Sequence, residues 1–255
     1  MQILIVGDSH IDDNQNLDRF TALGNFIIDK QPEYIVSIGD FITLNCLSAW
    51  DRDNRATLEN KRYYKEILAG NKAMDLLEYP LYKYNKEKRR GKYNPQKYYL
   101  MGNHEDRLTR YLIKDPTFEK QVSIESNLNL KKRGWCVVPY KSNIDIYGIS
   151  FTHIPIGGNG SPISGMNVCR KALNLYSNSI IFGHTHQFNV ENMFRHGVKN
   201  LIQALNVGCF FEHTDPYVEG AVTHYWRGII MLNCVKKGQF DLETISLPSL
   251  KKLYL

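Results

Sequence analysis

The sequence predicts an α/β protein, layered as a sandwich with two sheets. Three observations carry this. Short apolar runs closed by glycine alternate with helically spaced segments in the first half. Strand-like runs dominate the second half, and Asp, Asn or His comes after several of the strand ends. The 255 residues can bury a sizeable core. No linker composition or internal repeat divides them, so one domain over residues 1–255 is expected.

From the N-terminus, Ile3 to Val6 is an apolar run closed by Gly7, read as a buried strand. Leu17 to Lys30 carries Phe20, Leu23, Phe26 and Ile27 on one helical side, and Pro32 ends that helix. Tyr34 to Ile38, closed by Gly39, is a second strand, and Leu58 to Glu78 is a longer helix with Ile67, Leu68, Leu76 and Leu77 as its apolar positions. Lys97 to Met101 is a third strand ending at Gly102, with a helix over Arg107 to Ile113 after it. Later strands are expected at Ile144 to Thr152, Ser179 to Phe182, Phe188 to Phe194, Val198 to Asn206, Tyr225 to Cys234 and Phe240 to Ser246. One helix, Met166 to Tyr176, interrupts them.

Composition narrows the function classes. Hydrophobic residues make up 43% and charged residues 23%, ordinary for a soluble globular chain. No apolar run reaches the ~18 residues of a membrane span, so no membrane association is expected. The N-terminal "MQILIVGDSH" enters a strand without the features of a signal peptide, which predicts a cytoplasmic protein. Five scattered cysteines with no CxxC argue against a disulfide framework or a thiolate zinc site; they are read as small buried hydrophobes. The formal charge of +6 favours an anionic partner without naming one.

The chemistry gathers at the strand ends. "VGDSH", "IGD", "MGNHE", "FTH" and "FGHTH" each set a polar residue where ligands collect in α/β sheets. Asp8 and His10 are two residues apart, as are His184 and His186, and in extended backbone such pairs point the same way. With Asp40, Asn103 and His153 they make seven donors: imidazole, carboxylate and amide oxygen, without thiolate. That mixture suits Mn, Fe or Zn better than Ca or Mg. Seven is too many for one catalytic ion with an open position, and fits two ions sharing a carboxylate, roughly 3.5–4 Å apart as in phosphate-ester hydrolysis. Asp12, Asp13 and Asp18 are read as solvated acids at a helix start, and His196 as an ordinary surface histidine; His213 and His224 are left without a role.

GDSH, GD, GNHE, a lone His and GHTH, in that order from Gly7 to His186, resemble the calcineurin-like metallophosphoesterase superfamily. The resemblance implies an α/β/β/α sandwich of two mixed sheets flanked by helices, with the metal site at the strand C-terminal ends. It also implies two divalent transition-metal ions, with Mn preferred over Fe or Zn. Asp8, His10 and His186 would hold one, Asn103, His153 and His184 the other, and Asp40 would bridge. His104 would be the catalytic residue that faces substrate and assists the leaving group. The implied reaction is phosphoester hydrolysis by a metal-activated water.

Departures from the pattern narrow the branch. Thr43 and Leu44 stand where the protein Ser/Thr phosphatases carry Asp and Arg, and Met101 replaces the Arg before GNHE. The missing arginines argue against a protein phosphatase. The missing acid leaves the orientation of His104 to another residue, with Asp51 and Glu105 as candidates. The repair-nuclease branch also normally has an acid at Thr43. "MGNHEDRLTRYL" is similar to stand-alone phosphoesterases common in bacteriophage genomes.

One segment leans toward nucleic acid. Tyr79 to Tyr99 interleaves Lys83, Lys86, Lys88, Arg89, Arg90, Lys92 and Lys97 with six tyrosines, suited to phosphate neutralisation and base stacking. It precedes the strand leading to Asn103 and His104, so Lys88, Arg89 and Arg90 are expected near the site, with Arg107 as a further phosphate contact; a solvated basic loop is the plainer alternative. "LKKRGW" (Leu130 to Trp135) is a weaker basic patch. The expected function is phosphodiester hydrolysis of nucleic acid or nucleotides. Alternatives are a phosphomonoesterase or cyclic-nucleotide phosphodiesterase, or a scaffold with weak turnover. A homo-oligomer or an accessory subunit is compatible with each.

Overall fold

Four parallel strands build the first sheet: β1 (Ile3–Val6), β2 (Tyr34–Ser37), β3 (Gln96–Leu100) and β4 (Trp135–Val138). The computed structural model describes residues 1–49, 58–165, 167–194, 201–213 and 224–255. Every residue of β1 is buried, as a strand covered on both faces requires. β10 (Gly228–Lys236) pairs antiparallel with β1, and β11 (Gln239–Ser246) with β10, giving the order β11-β10-β1-β2-β3-β4. The second sheet comprises β5 (Ile144–Ile146), β6 (Ile149–Phe151), β7 (Ser179–Phe182), β8 (Phe188–Phe194) and β9 (Leu201–Val207), in the order β5-β6-β7-β9-β8. Its inner three strands are parallel and its edges antiparallel, so both sheets are mixed.

Three apolar clusters fix the layers. Leu4 and Val6 of β1 face helices α1 (Asp18–Lys30), α2 (Tyr63–Glu87) and α6 (Leu247–Tyr254), packing with Phe20, Phe26, Met74 and Leu250. Ile3 and Ile5 point the other way, against Phe151, Ile181 and Leu205 of the second sheet, as the two-residue period of a strand dictates. On the far side of that sheet, α5 (Val168–Leu175) buries Cys169 and Leu173 against Ile180 and Phe182. Each such side chain contributes about 1.5–3 kcal/mol. The result is the expected α/β/β/α sandwich. Two shorter helices, α3 (Asp106–Lys114) and α4 (Ile124–Asn127), lie between β3 and β4 in the chain.

Several elements differ from expectation. The helix expected over Leu58 to Glu78 is α2, which continues through Pro80 to Glu87. Pro80 costs its helix about 3 kcal/mol in principle. Here its ring packs over Gly24 of α1, where an added Cβ would sit 2.5 Å from the Leu77 carbonyl and 2.9 Å from the ring, so the close α1–α2 contact offsets that cost. The strand expected over Ile144 to Thr152 is the β5–β6 hairpin. Tyr147 (φ 52) and Gly148 (φ 84) both adopt the left-handed conformation of a tight two-residue turn. β10 starts at Gly228, not Tyr225, while β4 and α6 were not anticipated. Residues 198–200 and Met166, which the expected strand and helix included, lie outside the described residues. All five cysteines are free, but only Cys169 and Cys209 are buried; Cys136 and Cys234 are exposed. Among the described residues, no helix is long and apolar enough to cross a membrane.

Candidate metal centre

The segments after β1, β2, β3, β6 and β7 meet at one end of the two sheets. Main-chain pairing sets them in place: Ser9 and His10 N–H donate to the Asp40 carbonyl (3.0 and 2.9 Å), and Gly183 N–H donates to the His153 carbonyl (3.0 Å). Two clusters result. Asp8, His10 and His186 form one: His186 Nε2 lies 3.1 Å from Asp8 Oδ2 and 3.1 Å from His10 Nε2. In the other, Asn103 Oδ1 lies 3.0 Å from His153 Nε2 and 2.8 Å from His184 Nδ1. Asp40 stands between them, its Oδ2 lying 3.8 Å from His10 Nε2, 3.4 Å from His153 Nε2 and 3.9 Å from His104 Nε2. All seven residues singled out in the sequence are thus brought together, and His184 and His186 go to different clusters.

The backbone there is strained. His10 (φ 42), Asp40 (φ 48), His184 (φ 72) and His186 (φ 60) all adopt the left-handed region, at about 1–3 kcal/mol each. The extended geometry expected for the Asp8/His10 and His184/His186 pairs therefore does not hold. The motif glycines serve close approach: a Cβ on Gly102 would collide with the Asp40 carboxylate, and one on Gly183 with that of Asp8.

The donor set fits a divalent cation. His153 Nδ1 lies 3.1 Å from the Ile38 carbonyl, which can only accept, so Nδ1 carries the proton. In the neutral ring Nε2 then turns a lone pair toward Asn103 Oδ1 and Asp40 Oδ2, themselves acceptors. Converging lone pairs require a shared proton or a cation. Burial opposes charge on His153, but Asp40, with Asp8 and Glu105 behind it, outweighs burial and lifts its pKa to about 9. Burial also disfavours ionised Asp40, but His153, His104 and His10 overcome it and hold the carboxyl well below its ordinary range. Burial holds His10 and His184 below the usual imidazole value, favouring the neutral form that ligates metals, and lowers His104 in the same direction. His10 Nδ1 is buried without a hydrogen-bond partner among the described residues. Its ring is packed edge-on against those of His104, His186 and Phe211.

His104 faces this pair of clusters. Its N–H donates to Asp40 Oδ1 at 2.9 Å, and its Nδ1 lies 2.6 Å from the Thr43 carbonyl. Arg107 donates to the same carbonyl (3.0 Å), to that of Leu44 (3.3 Å) and to Asn45 Oδ1 (3.3 Å). Glu105 does not orient His104. Its buried carboxylate accepts N–H groups from Gly102 (2.8 Å), Asp40 (3.1 Å), Phe41 (2.8 Å) and Ile42 (3.3 Å), and the Tyr99 hydroxyl (2.9 Å). Burial, then Asp40, push its carboxyl up to about 7, against the pull of those donors. Asp51 lies outside the described residues.

A cleft of about 410 Å³ opens beside Asn103 and His184 and is lined by Arg107, so Arg107 sits at the site. Lys88, Arg89 and Arg90 do not. They lie between α2 and the N-terminal end of β3, whereas Asn103 lies past the C-terminal end of that strand, whose five extended residues span ~16 Å. The expectation failed because a segment entering a strand and a segment leaving it sit at opposite ends of the sheet. Lys97 is held internally, donating to Glu78 at 2.8 Å. In the weaker basic patch, Arg133 pairs with Glu78 (2.9 Å) and Asp75 (2.5 Å). Asp12 and Asp13 pair with Lys61 (2.5 and 3.3 Å) and are not freely solvated acids; Asp18 is a first-turn acid of α1. His213 Nδ1 lies 3.3 Å from Gln15 Nε2, His224 is exposed, and His196 lies outside the described residues.

Sequence reasoning missed three contributors. Phe211 and Tyr225 pack against His186 (ring centroids 5.0 and 4.8 Å apart). Arg19, buried in α1, donates to the carbonyls of Ser9 (3.1 Å), Asn16 (2.7 Å) and Phe210 (2.9 Å), tying down the chain on both sides of the site. Burial brings its pKa down to about 10. Only a charged residue at an otherwise apolar helical face hinted at it.

A two-sheet α/β sandwich with paired His/Asp clusters at its strand ends defines a candidate metallohydrolase. The chain belongs to the calcineurin-like phosphoesterase family, which it matches over residues 1–188. Two solved structures resemble it at low identity. Vps29 from Entamoeba histolytica, complexed with zinc, is 13% identical over 97% of this chain and 99% of that one, with a TM-score of 0.40. A dimetal phosphatase from Danio rerio is 10% identical over 97% of this chain and 96% of that one, with a TM-score of 0.44. No curated protein sequence matches the chain significantly.

Proposed function

We propose that this chain is a single-domain, two-metal phosphodiesterase acting on nucleic acid or nucleotides. The observation that carries the reading is the position of Asp40 between the Asp8/His10/His186 and Asn103/His153/His184 clusters, with His104 beside it. Those clusters would each hold one divalent ion, with Asp40 shared. The nitrogen and oxygen donors suit Mn, Zn or Fe. When bound, such ions supply Lewis acidity that lowers the pKa of water and offsets charge on a phosphate.

The chain's own groups do the rest. Because the Thr43 carbonyl can only accept, His104 Nδ1 carries one proton, and Nε2 would pass a proton to a leaving oxygen only from the imidazolium form. Arg107, 3.5 Å from that nitrogen, sets a fixed positive charge beside it. A diester is favoured because the cleft that runs from Asn103 and His184 past Arg107 leaves room for a second group on the phosphate.

Hydrolysis of bis-p-nitrophenyl phosphate against p-nitrophenyl phosphate by Mn²⁺-loaded protein tests the reading. Diester preference abolished by Asp40→Ala and strongly reduced by His104→Ala is the expected result. Monoester preference would replace it with a phosphomonoesterase, and absence of turnover with two ions bound would leave a scaffold.

A further inference from the structure

We infer that α3 and its cleft form a subsite for the phosphate next to the scissile one, so that the substrate is a nucleotide chain with several phosphates. This deepens the phosphodiesterase reading and rests on it. Arg107, Arg110, Tyr111 and Lys114 fall at i, i+3, i+4 and i+7 of one helix, a single face, and all four line the cleft that begins at Asn103 and His184. No Asp or Glu lines it among the described residues, so three cations share one wall.

The cations differ in position. Arg107 is engaged with the Thr43–Asn45 turn at the metal centre. Arg110 is anchored there too, donating to the Asn103 carbonyl (3.0 Å) and pairing with Asp106 (3.0 Å). Lys114 lies two turns beyond Arg107, about 10 Å along the axis, and has no hydrogen-bond acceptor or carboxylate in reach among the described residues. A lysine in a last turn complements the helix dipole. That accounts for its charge, but not for its place in a cleft leading from the site.

Two aromatic residues complete the wall. Tyr111 is 41% exposed and Tyr140 is half-buried, both lining the same cleft. Cations spaced along a groove with rings between them match the alternation of phosphate and base in a single strand. The Lys88–Arg90 segment, at the other end of β3, cannot serve this groove.

The test is a length series of single-stranded deoxyoligonucleotides bearing one, two or three phosphates, cleaved by Mn²⁺-loaded protein. The expected result is a kcat/KM gain of about tenfold on going beyond one phosphate. The gain should be largely lost in Lys114→Glu, partly lost in Lys114→Gln, and diminished by salt. A gain absent in the wild type, or intact in Lys114→Glu, overturns the inference. If no oligonucleotide of the series is cleaved, the phosphodiesterase reading fails. Binding of a fluorescent single-stranded oligonucleotide then tests the subsite independently of turnover: roughly tenfold weaker binding by Lys114→Glu supports it, and equal binding rejects it.

Discussion

The Nδ1 of His104 lies 2.6 Å from the main-chain carbonyl of Thr43. Position 43 lacks the acid expected to orient this histidine, yet the ring is oriented, because a carbonyl supplies the acceptor that an acid would otherwise provide. The Thr43 side chain points elsewhere, its hydroxyl donating to the Ile11 carbonyl at 3.0 Å. Thr43→Val therefore keeps the contact to His104. Its kcat should stay within about threefold of wild type, while unfolding free energy falls by about 1 kcal/mol. A hundredfold loss of kcat in steady-state assays would show that the hydroxyl, not the carbonyl, matters.

Glu105 gathers five donors from two segments around Asp40. Glu105→Gln turns an amide N–H₂ toward some of them and leaves buried donors unmatched. The expected cost is about 2–3 kcal/mol in urea unfolding of metal-free protein. An unchanged midpoint would contradict the role assigned to the carboxylate.

A side chain at Gly102 or Gly183 would displace the Asp40 or Asp8 carboxylate. Gly102→Ala and Gly183→Ala should each lose at least tenfold in metal affinity by calorimetric titration, in folded protein with native-like circular dichroism. Wild-type affinity in either variant would refute the close-approach argument.

Arg19 satisfies the carbonyl of Ser9, between Asp8 and His10, and that of Phe210 on the segment paired beside it. Arg19→Met fills similar space but donates nothing, and should lower stability by about 3–4 kcal/mol in denaturant unfolding. Arg19→Lys, with fewer and differently directed donors, should fall between the two. A Met variant as stable as wild type would mean the carbonyls find other partners.

Much of this architecture was legible because it depends on local pattern. Ile3 to Val6 and Ser179 to Phe182 are buried runs closed by glycine, and Asp or His follows each within a few residues, so the segments that meet could be named in advance. The features that escaped reading depend on tertiary contact. Pro80 is tolerated because it packs on Gly24; Glu105 and Arg19 act through main-chain groups supplied by distant segments. The carbonyl of Thr43 is invisible because every residue has one. Lys88 to Arg90 misled because chain adjacency to a strand says nothing about which end of the sheet is reached, until strand direction is taken into account.

The most direct test of the central claim is metal stoichiometry, measured by elemental analysis of protein saturated with Mn²⁺ and freed of excess ion. Two ions per wild-type chain, falling below two in Asp40→Ala, is the predicted result, because Asp40 Oδ2 stands between both clusters. One ion or none in the wild type, or two retained unchanged in Asp40→Ala, would contradict a shared two-metal centre.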